Sequence, residues 1–202
     1  MNLEIVDCIV FDFGRTLSSD FYFNVNPPGI PNWSETIQQA LFADPPLVNR
    51  WMRNEISLEE IAARFAPQFD MPVEEAVEWS IKGCQQVTMN LAVWQFAESM
   101  KRDGKQIALV TGNMDVFNRY IRPNHNLDAL FPVIINSCDY GELDKAILWP
   151  HAFAQFDVDI GYANSLLIED SLENVELFRS LGGQAYQYSN DTEFQKVFAL
   201  TD

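Results

Sequence analysis

Four short runs of apolar residues limit what this chain can become: Cys8-Ile9-Val10-Phe11, Ile107-Ala108-Leu109-Val110, Val133-Ile134-Ile135 and Leu166-Leu167-Ile168. None is broken by a polar residue and each is too short for a helix, which marks strands buried on both faces. Strands of that kind build a parallel sheet, and a parallel sheet needs crossover connections, usually helical. The stretches between the later runs supply them. Met114 to Ile121, Lys145 to Phe156 and Ser171 to Leu181 read as helices, the last capped by Ser171 and stopped at Gly182-Gly183. The pattern predicts an α/β fold with a Rossmann-like, doubly wound parallel sheet.

Between the first and second runs the character changes. Ser57-Leu58-Glu59-Glu60 is a capping box, after which Leu58, Ile61 and Phe65 recur at helical spacing. Val73, Val77, Ile81 and Cys84 do the same behind Pro72. No strand-like run appears there, and Pro27 to Pro31 and Pro45-Pro46 read as loops. A helical insertion over 17–90 is therefore expected to interrupt an α/β core made of 1–16 and 91–202. Leu91 to Met100 is the helix leading back.

The chain of 202 residues carries 29 Asp and Glu against 13 Lys and Arg, a net charge of -16. That excludes a nucleic-acid binder working through a basic face. It also repels anionic ligands at long range, so a phosphate or carboxylate needs a bound cation or local positive groups. No apolar run approaches a membrane span, and Met1 to Asp7 is acidic where a signal peptide is basic. Three widely spaced cysteines, Cys8, Cys84 and Cys138, form no disulfide framework. A cytoplasmic protein that does not contact membranes is expected, with a small-molecule partner and an oligomeric state the sequence leaves open.

In an open parallel sheet, ligands bind beyond the carboxyl ends of the strands. Asp12-Phe13-Gly14-Arg15-Thr16 follows the first run, Thr111-Gly112-Asn113 the second and Glu169-Asp170-Ser171 the fourth, with Lys145 ahead of the helix before that fourth strand. Singly, these are a cap, a turn residue, a surface charge and a solvated loop. Together they place carboxylates, a hydroxyl and an ammonium on one rim. A carboxylate such as Asp12 can attack phosphorus to form an acyl phosphate. Attack of an anion on an anion requires neutralisation, which Mg²⁺ held by Asp12 and Asp170 would provide. Lys145 and Thr111 would hold the remaining phosphoryl oxygens.

At these residues the chain resembles the haloacid dehalogenase superfamily. Phe11-Asp12-Phe13-Gly14-Arg15-Thr16 is similar to its first motif, Thr111 to its second, Lys145 to its third and Glu169-Asp170 to its fourth. The likeness spans nearly the whole chain, with 17–90 as a C1-type helical cap. The resemblance implies Asp12 as nucleophile and Mg²⁺ ligand, the carbonyl at Gly14 and the Asp170 carboxylate as further ligands, and Thr111 and Lys145 on the phosphoryl group. It implies that Glu169 and Asn174 support the metal or its loop indirectly. Thr111, Gly112, Asn113 and Arg15 are the expected substrate-binding residues. Thr16 is expected to brace the loop.

One departure matters. The phosphatases of that family carry a general acid and base where this chain has Gly14. Such help is worth about 10²–10⁴-fold. Three readings follow: Mg²⁺-dependent hydrolysis of a small phosphorylated metabolite, with the acid drawn from a group such as Asp20 or Tyr22 or not needed; a catalytically silent binding or regulatory protein; or 2-haloacid dehalogenase or C–P hydrolase chemistry. The C–P hydrolase chemistry would need Lys82 for a Schiff base.

Overall fold

The computed structural model describes residues 3–198; Met1 and Asn2, part of the acidic N-terminal stretch, lie outside them, as does 199–202. Five parallel strands form one sheet in the order β3-β2-β1-β4-β5: β1 (Cys8–Phe11), β2 (Gln106–Thr111), β3 (Val133–Asn136), β4 (Ser165–Glu169) and β5 (Gln184–Gln187). β1 lies at the centre, Cys8 pairing with Gln106 on one side and Ser165 on the other. Every residue of β1 and β4 is buried. Side-chain alternation divides the core: Ile9, Phe11, Ile107 and Leu109 enter one apolar cluster, Cys8, Val10, Ala108 and Val110 the other. Both faces are covered, which is why the runs are unbroken rather than alternating. The fold is the doubly wound α/β arrangement expected.

Between β1 and β2 stand α1 (Trp33–Phe42), α2 (Pro45–Met52), α3 (Leu58–Phe65) and α4 (Val73–Gln85), then α5 (Leu91–Arg102) against the sheet. The capping box forms at α3, with Ser57 and Glu60 exchanging side-chain and backbone bonds. Pro45-Pro46 is not a loop. It opens α2, where a missing N–H costs nothing, and Asp44 caps the helix by accepting from Leu47 N at 3.1 Å. α4 forms behind Pro72 as expected: Val73, Val77 and Ile81 are half-buried and pack against the core, Cys84 is buried, and Ala76, Ser80 and Gly83 complete the buried side. Small residues are required there because a Cβ on Gly83 would stand 2.2 Å from Tyr22 O.

After β2 the helical segment over 115–124 contains a π-helical section at Phe117–Ile121 and ends in α6 (Arg122–Asn124). Pro123 has no N–H for the regular ladder, which accounts for the widened turn ahead of it. α7 (Leu127–Leu130) and β3 follow, then α8 (Ser137–Tyr140), α9 (Lys145–Phe153), α10 (Leu172–Ser180) and α11 (Asp191–Phe198). α9 stops at Phe153, three residues before the expected end. Ser171 caps α10 as expected, accepting from Asn174 N. Among the described residues no helix is long and apolar enough to cross a membrane.

Candidate active site

The chain leaves the sheet at Asp12, whose N–H still donates to Ile168 O on β4 at 2.9 Å. The central strand thus delivers this carboxyl to the edge where the strand order reverses. β2 ends on Thr111, β4 on Glu169, and α9 begins at Lys145 with Asp144 capping it. Lys145 is buried and donates to Asp12 Oδ1 at 2.7 Å and to Val110 O at 2.7 Å. Its Nζ lies 3.5 Å from Glu169 Oε2.

Asp12, Glu169 and Asp170 present carboxylate oxygens within 4.8 Å of one another. Burial and then the Glu169 charge push the Asp12 carboxyl up to about 6, against the pull of Lys145. Burial also raises Glu169, and burial with the Asp12 charge raises Asp170. Burial works against the Lys145 ammonium, but Asp12 and Glu169 more than offset it and hold its pKa above the ordinary value. Three carboxylates around one ammonium leave the cluster under-neutralised, and an all-oxygen donor set of this kind fits a hard divalent cation such as Mg²⁺.

The supporting contacts are specific. Glu169 accepts from Ser171 N at 3.2 Å and from Asn174 Nδ2 at 3.2 Å, so Asn174 reaches the cluster through Glu169. Gln187 Nε2 donates to Asp170 O at 3.1 Å. Thr111 is buried at the strand end, its Oγ1 3.4 Å from Asn113 Nδ2. Asn113 is turned into the protein: Nδ2 donates to Tyr22 OH at 2.6 Å, Oδ1 accepts from Met114 N, and its own N–H donates to Ser137 Oγ. Gly112 is half-buried, with open space where a Cβ would project.

Gly14 forms a bridge to Ser18, and nothing lies within 4 Å of where its Cβ would stand. Arg15 follows, exposed and in the left-handed region at φ 56°, a conformation few non-glycine residues adopt. Thr16 braces the loop through its carbonyl, which accepts from Asn90 Nδ2 at 2.7 Å, whereas its buried Oγ1 has no partner. Asp20 Oδ2 accepts from both Thr88 N and Thr88 Oγ1 at 2.6 Å. With Asn90 N donating to Leu17 O at 2.8 Å, the two passages between the helical layer and the sheet are tied to each other. Lys82 stands exposed over the Trp79 ring, 3.8 Å from its centroid.

Asp115, Ser137, Thr88 and Asn90 escaped sequence reading. Asp115 and Ser137 join the helical layer to the core: Asp115 accepts from Trp51 Nε1 and Arg119, and Ser137 Oγ donates to Met52 O at 2.8 Å. Asp115 three residues beyond Gly112 was the one available signal, a carboxyl close behind a strand end.

A cavity of about 340 Å³ opens between the helical layer and the strand ends, reaching Gly14, Arg15, Gly112 and Asn113. Larger recesses elsewhere, of about 440 and 480 Å³, lie away from the carboxylates among α5, α7 and the β1–β2 flank.

No protein-family model matches the chain, and no curated protein matches it in sequence. Solved structures do match. A HAD-family enzyme from Bacteroides thetaiotaomicron superposes with a TM-score of 0.71 at 13% identity, over 96% of this chain and 98% of that one. In a complex with magnesium and inorganic phosphate the same enzyme gives 0.60 at 11%, over 91% and 94%. A predicted HAD-like hydrolase from Porphyromonas gingivalis gives 0.65 at 17%, over 98% and 100%. The L-2-haloacid dehalogenase of Xanthobacter autotrophicus with chloropropionic acid covalently bound gives 0.64 at 13%, over 97% and 84%. At such identities the likeness establishes the haloacid-dehalogenase fold.

Proposed function

We propose that the chain is a Mg²⁺-dependent hydrolase of a small phosphorylated metabolite, acting through Asp12, with the segment 17–90 as a cap over the α/β core. The observation that carries this reading is the convergence of Asp12, Glu169 and Asp170 on one point with Lys145 as their ammonium partner. Asp12, Asp170 and the carbonyl at Gly14 would hold Mg²⁺, which when bound supplies the positive charge that makes an anionic substrate tolerable.

The protein's own groups do the rest. Lys145 fixes one oxygen of Asp12 and leaves the other to attack phosphorus. The bond from phosphorus to the leaving oxygen breaks with its electron pair, giving an aspartyl phosphate, and water then releases phosphate and restores Asp12. The Thr111 hydroxyl and Lys145 receive phosphoryl oxygens; Asn174 holds Glu169 in place. The helical layer excludes bulk water during the attack on phosphorus.

Phosphate release from a panel of esters and acetyl phosphate, with Mg²⁺ and with chelator, tests this. Metal-dependent release abolished in Asp12→Asn is the expected result. Gly14 favours a second reading, a silent scaffold; release gained only in Gly14→Asp would establish it.

A further inference from the structure

We infer, resting on that reading, that the site takes phosphate monoesters of aromatic hydroxyls, with an aryl oxide as the leaving group. Two independent observations meet here. The first is the cavity. Its apolar walls are Phe21, Tyr22, Leu41, Val48, Met52 and Met114, and it reaches Gly14 and Asn113, which lie two residues beyond Asp12 and Thr111 at the strand ends. Its volume of about 340 Å³ sits at the low end of small-molecule sites, which run from roughly 300 to 1,000 Å³. Of the polar groups on its walls, Asp20 is spent on Thr88 and Asn113 on Tyr22 and Met114, while Arg15 and Gln38 stand exposed at its solvent side. Against the apolar walls a sugar or polyol would bury hydroxyls without partners, whereas a flat ring meets apolar and aromatic surface. Phe42, half exposed and packed on Phe21 at a centroid distance of 6.1 Å, extends that surface to the cavity mouth.

The second observation is the open space at Gly14, where the leaving oxygen has no carboxyl to protonate it. Asp20, the nearest carboxyl on the cavity wall, is held by two donors from Thr88 rather than aimed at the strand ends. With Asp20 held by Thr88 and the Tyr22 hydroxyl engaged by Asn113 Nδ2 at 2.6 Å, the electron pair of the broken P–O bond stays on the departing oxygen. A phenol, at a pKa of about 10, releases a stable anion. An alkyl alcohol, closer to the ~15.7 of water, does not. The balanced sequence is attack by Asp12 on phosphorus with expulsion of the aryl oxide, then attack by water on the aspartyl phosphate, the water's protons leaving with phosphate and restoring the phenol. A ring-lined pocket and a missing acid thus select the same chemistry.

Three esters separate the contributions: phenyl phosphate, benzyl phosphate with the same ring on an alkyl oxygen, and cyclohexyl phosphate. In the presence of Mg²⁺, phenyl phosphate is expected to exceed both others in kcat/KM by about 10²-fold or more. Ring-substituted phenyl phosphates are expected to slow steeply as leaving-group pKa rises. Benzyl phosphate is expected to inhibit competitively, because its ring still binds. Gly14→Asp, whose Cβ would meet no neighbouring atom, is expected to raise benzyl phosphate turnover and flatten the leaving-group dependence. Val48→Asn is expected to raise KM for phenyl phosphate about tenfold with kcat nearly unchanged. Turnover of benzyl, cyclohexyl or sugar phosphates as fast as phenyl phosphate overturns the inference while leaving the hydrolase intact. Silence toward every ester and toward acetyl phosphate, or halide release from 2-haloacids without metal, overturns both.

Discussion

Trp51 donates its indole N–H to Asp115 Oδ1 at 2.6 Å, across 64 residues of sequence. Both groups are buried, and the bond joins α2 to the helical segment that follows β2. Asp115 also receives Leu58 N at 3.4 Å and Arg119 at 2.8 Å, so one carboxylate gathers α2, α3 and the core. Trp51→Phe keeps the ring and removes the donor. It is expected to cost about 1–3 kcal/mol in a urea titration, and to speed amide exchange in α2 and α3 more than in the sheet.

Removing Lys145 leaves Asp12 and Glu169 buried without their ammonium partner. Lys145→Met is expected to lower stability by about 3–5 kcal/mol without divalent cation. Added Mg²⁺ is expected to raise the melting temperature of this variant more than that of the parent. Asp170→Asn is expected to shrink the Mg²⁺-induced rise, since it removes one of the three converging carboxylates. Differential scanning fluorimetry with and without chelator reads both, and equal Mg²⁺ shifts in all three proteins would contradict the metal assignment.

Arg119 holds the Glu59 carboxyl down, at about 2, through a 2.7 Å bond. A carboxyl with a lowered folded pKa stabilises the fold above its unfolded value of about 4.5, and that contribution fades as pH falls from there towards 2. Both partners are partly exposed, so the effect is modest and weakens with salt. Glu59→Gln is expected to flatten the fall in urea midpoint between pH 4.5 and 2 at low ionic strength. An unchanged slope would show that the pair contributes nothing.

A methyl group at Gly83 would meet Tyr22 O, a backbone atom that cannot swing aside. Gly83→Ala is therefore expected to cost about 1–3 kcal/mol, despite the better helix propensity of alanine. The displacement falls on the residue that meets Asn113, so KM for the phosphorylated substrate should rise more than kcat falls. A stabilised variant would mean that α4 and the Tyr22 segment slide freely.

The sheet and the meeting of Asp12, Lys145, Glu169 and Asp170 at its edge, with Thr111 ending the neighbouring strand, were legible because both follow from local signals: unbroken apolar runs, and what comes after each one. The start of α2 was misread because Pro45-Pro46 serves equally for a loop and a first helical turn, and Asp44 decides between them by a bond only the fold reveals. The apolar face of α4 was legible from Val73, Val77, Ile81 and Cys84, but the role of Gly83 was not, because it depends on a segment some sixty residues earlier. The ties from Asp20 to Thr88 and from Tyr22 to Asn113 join positions 68 and 91 residues apart. No periodicity encodes such pairs, and they are what turned Asp20 from a candidate acid into a brace between the two connecting passages.

The central place of β1 carries a cost in time. Its residues are made early, yet Cys8 pairs with Gln106 and Ser165. On the ribosome, α1 to α4 can form from neighbouring residues while β1 waits for partners not yet synthesised. The carboxylate cluster, with Asp12 near one end of the chain and Glu169 near the other, is then among the last features to assemble. Until β2 emerges the apolar side chains of β1 have no strand to pair with, and until β4 emerges one edge of β1 stays open, an interval that exposes the nascent protein to aggregation.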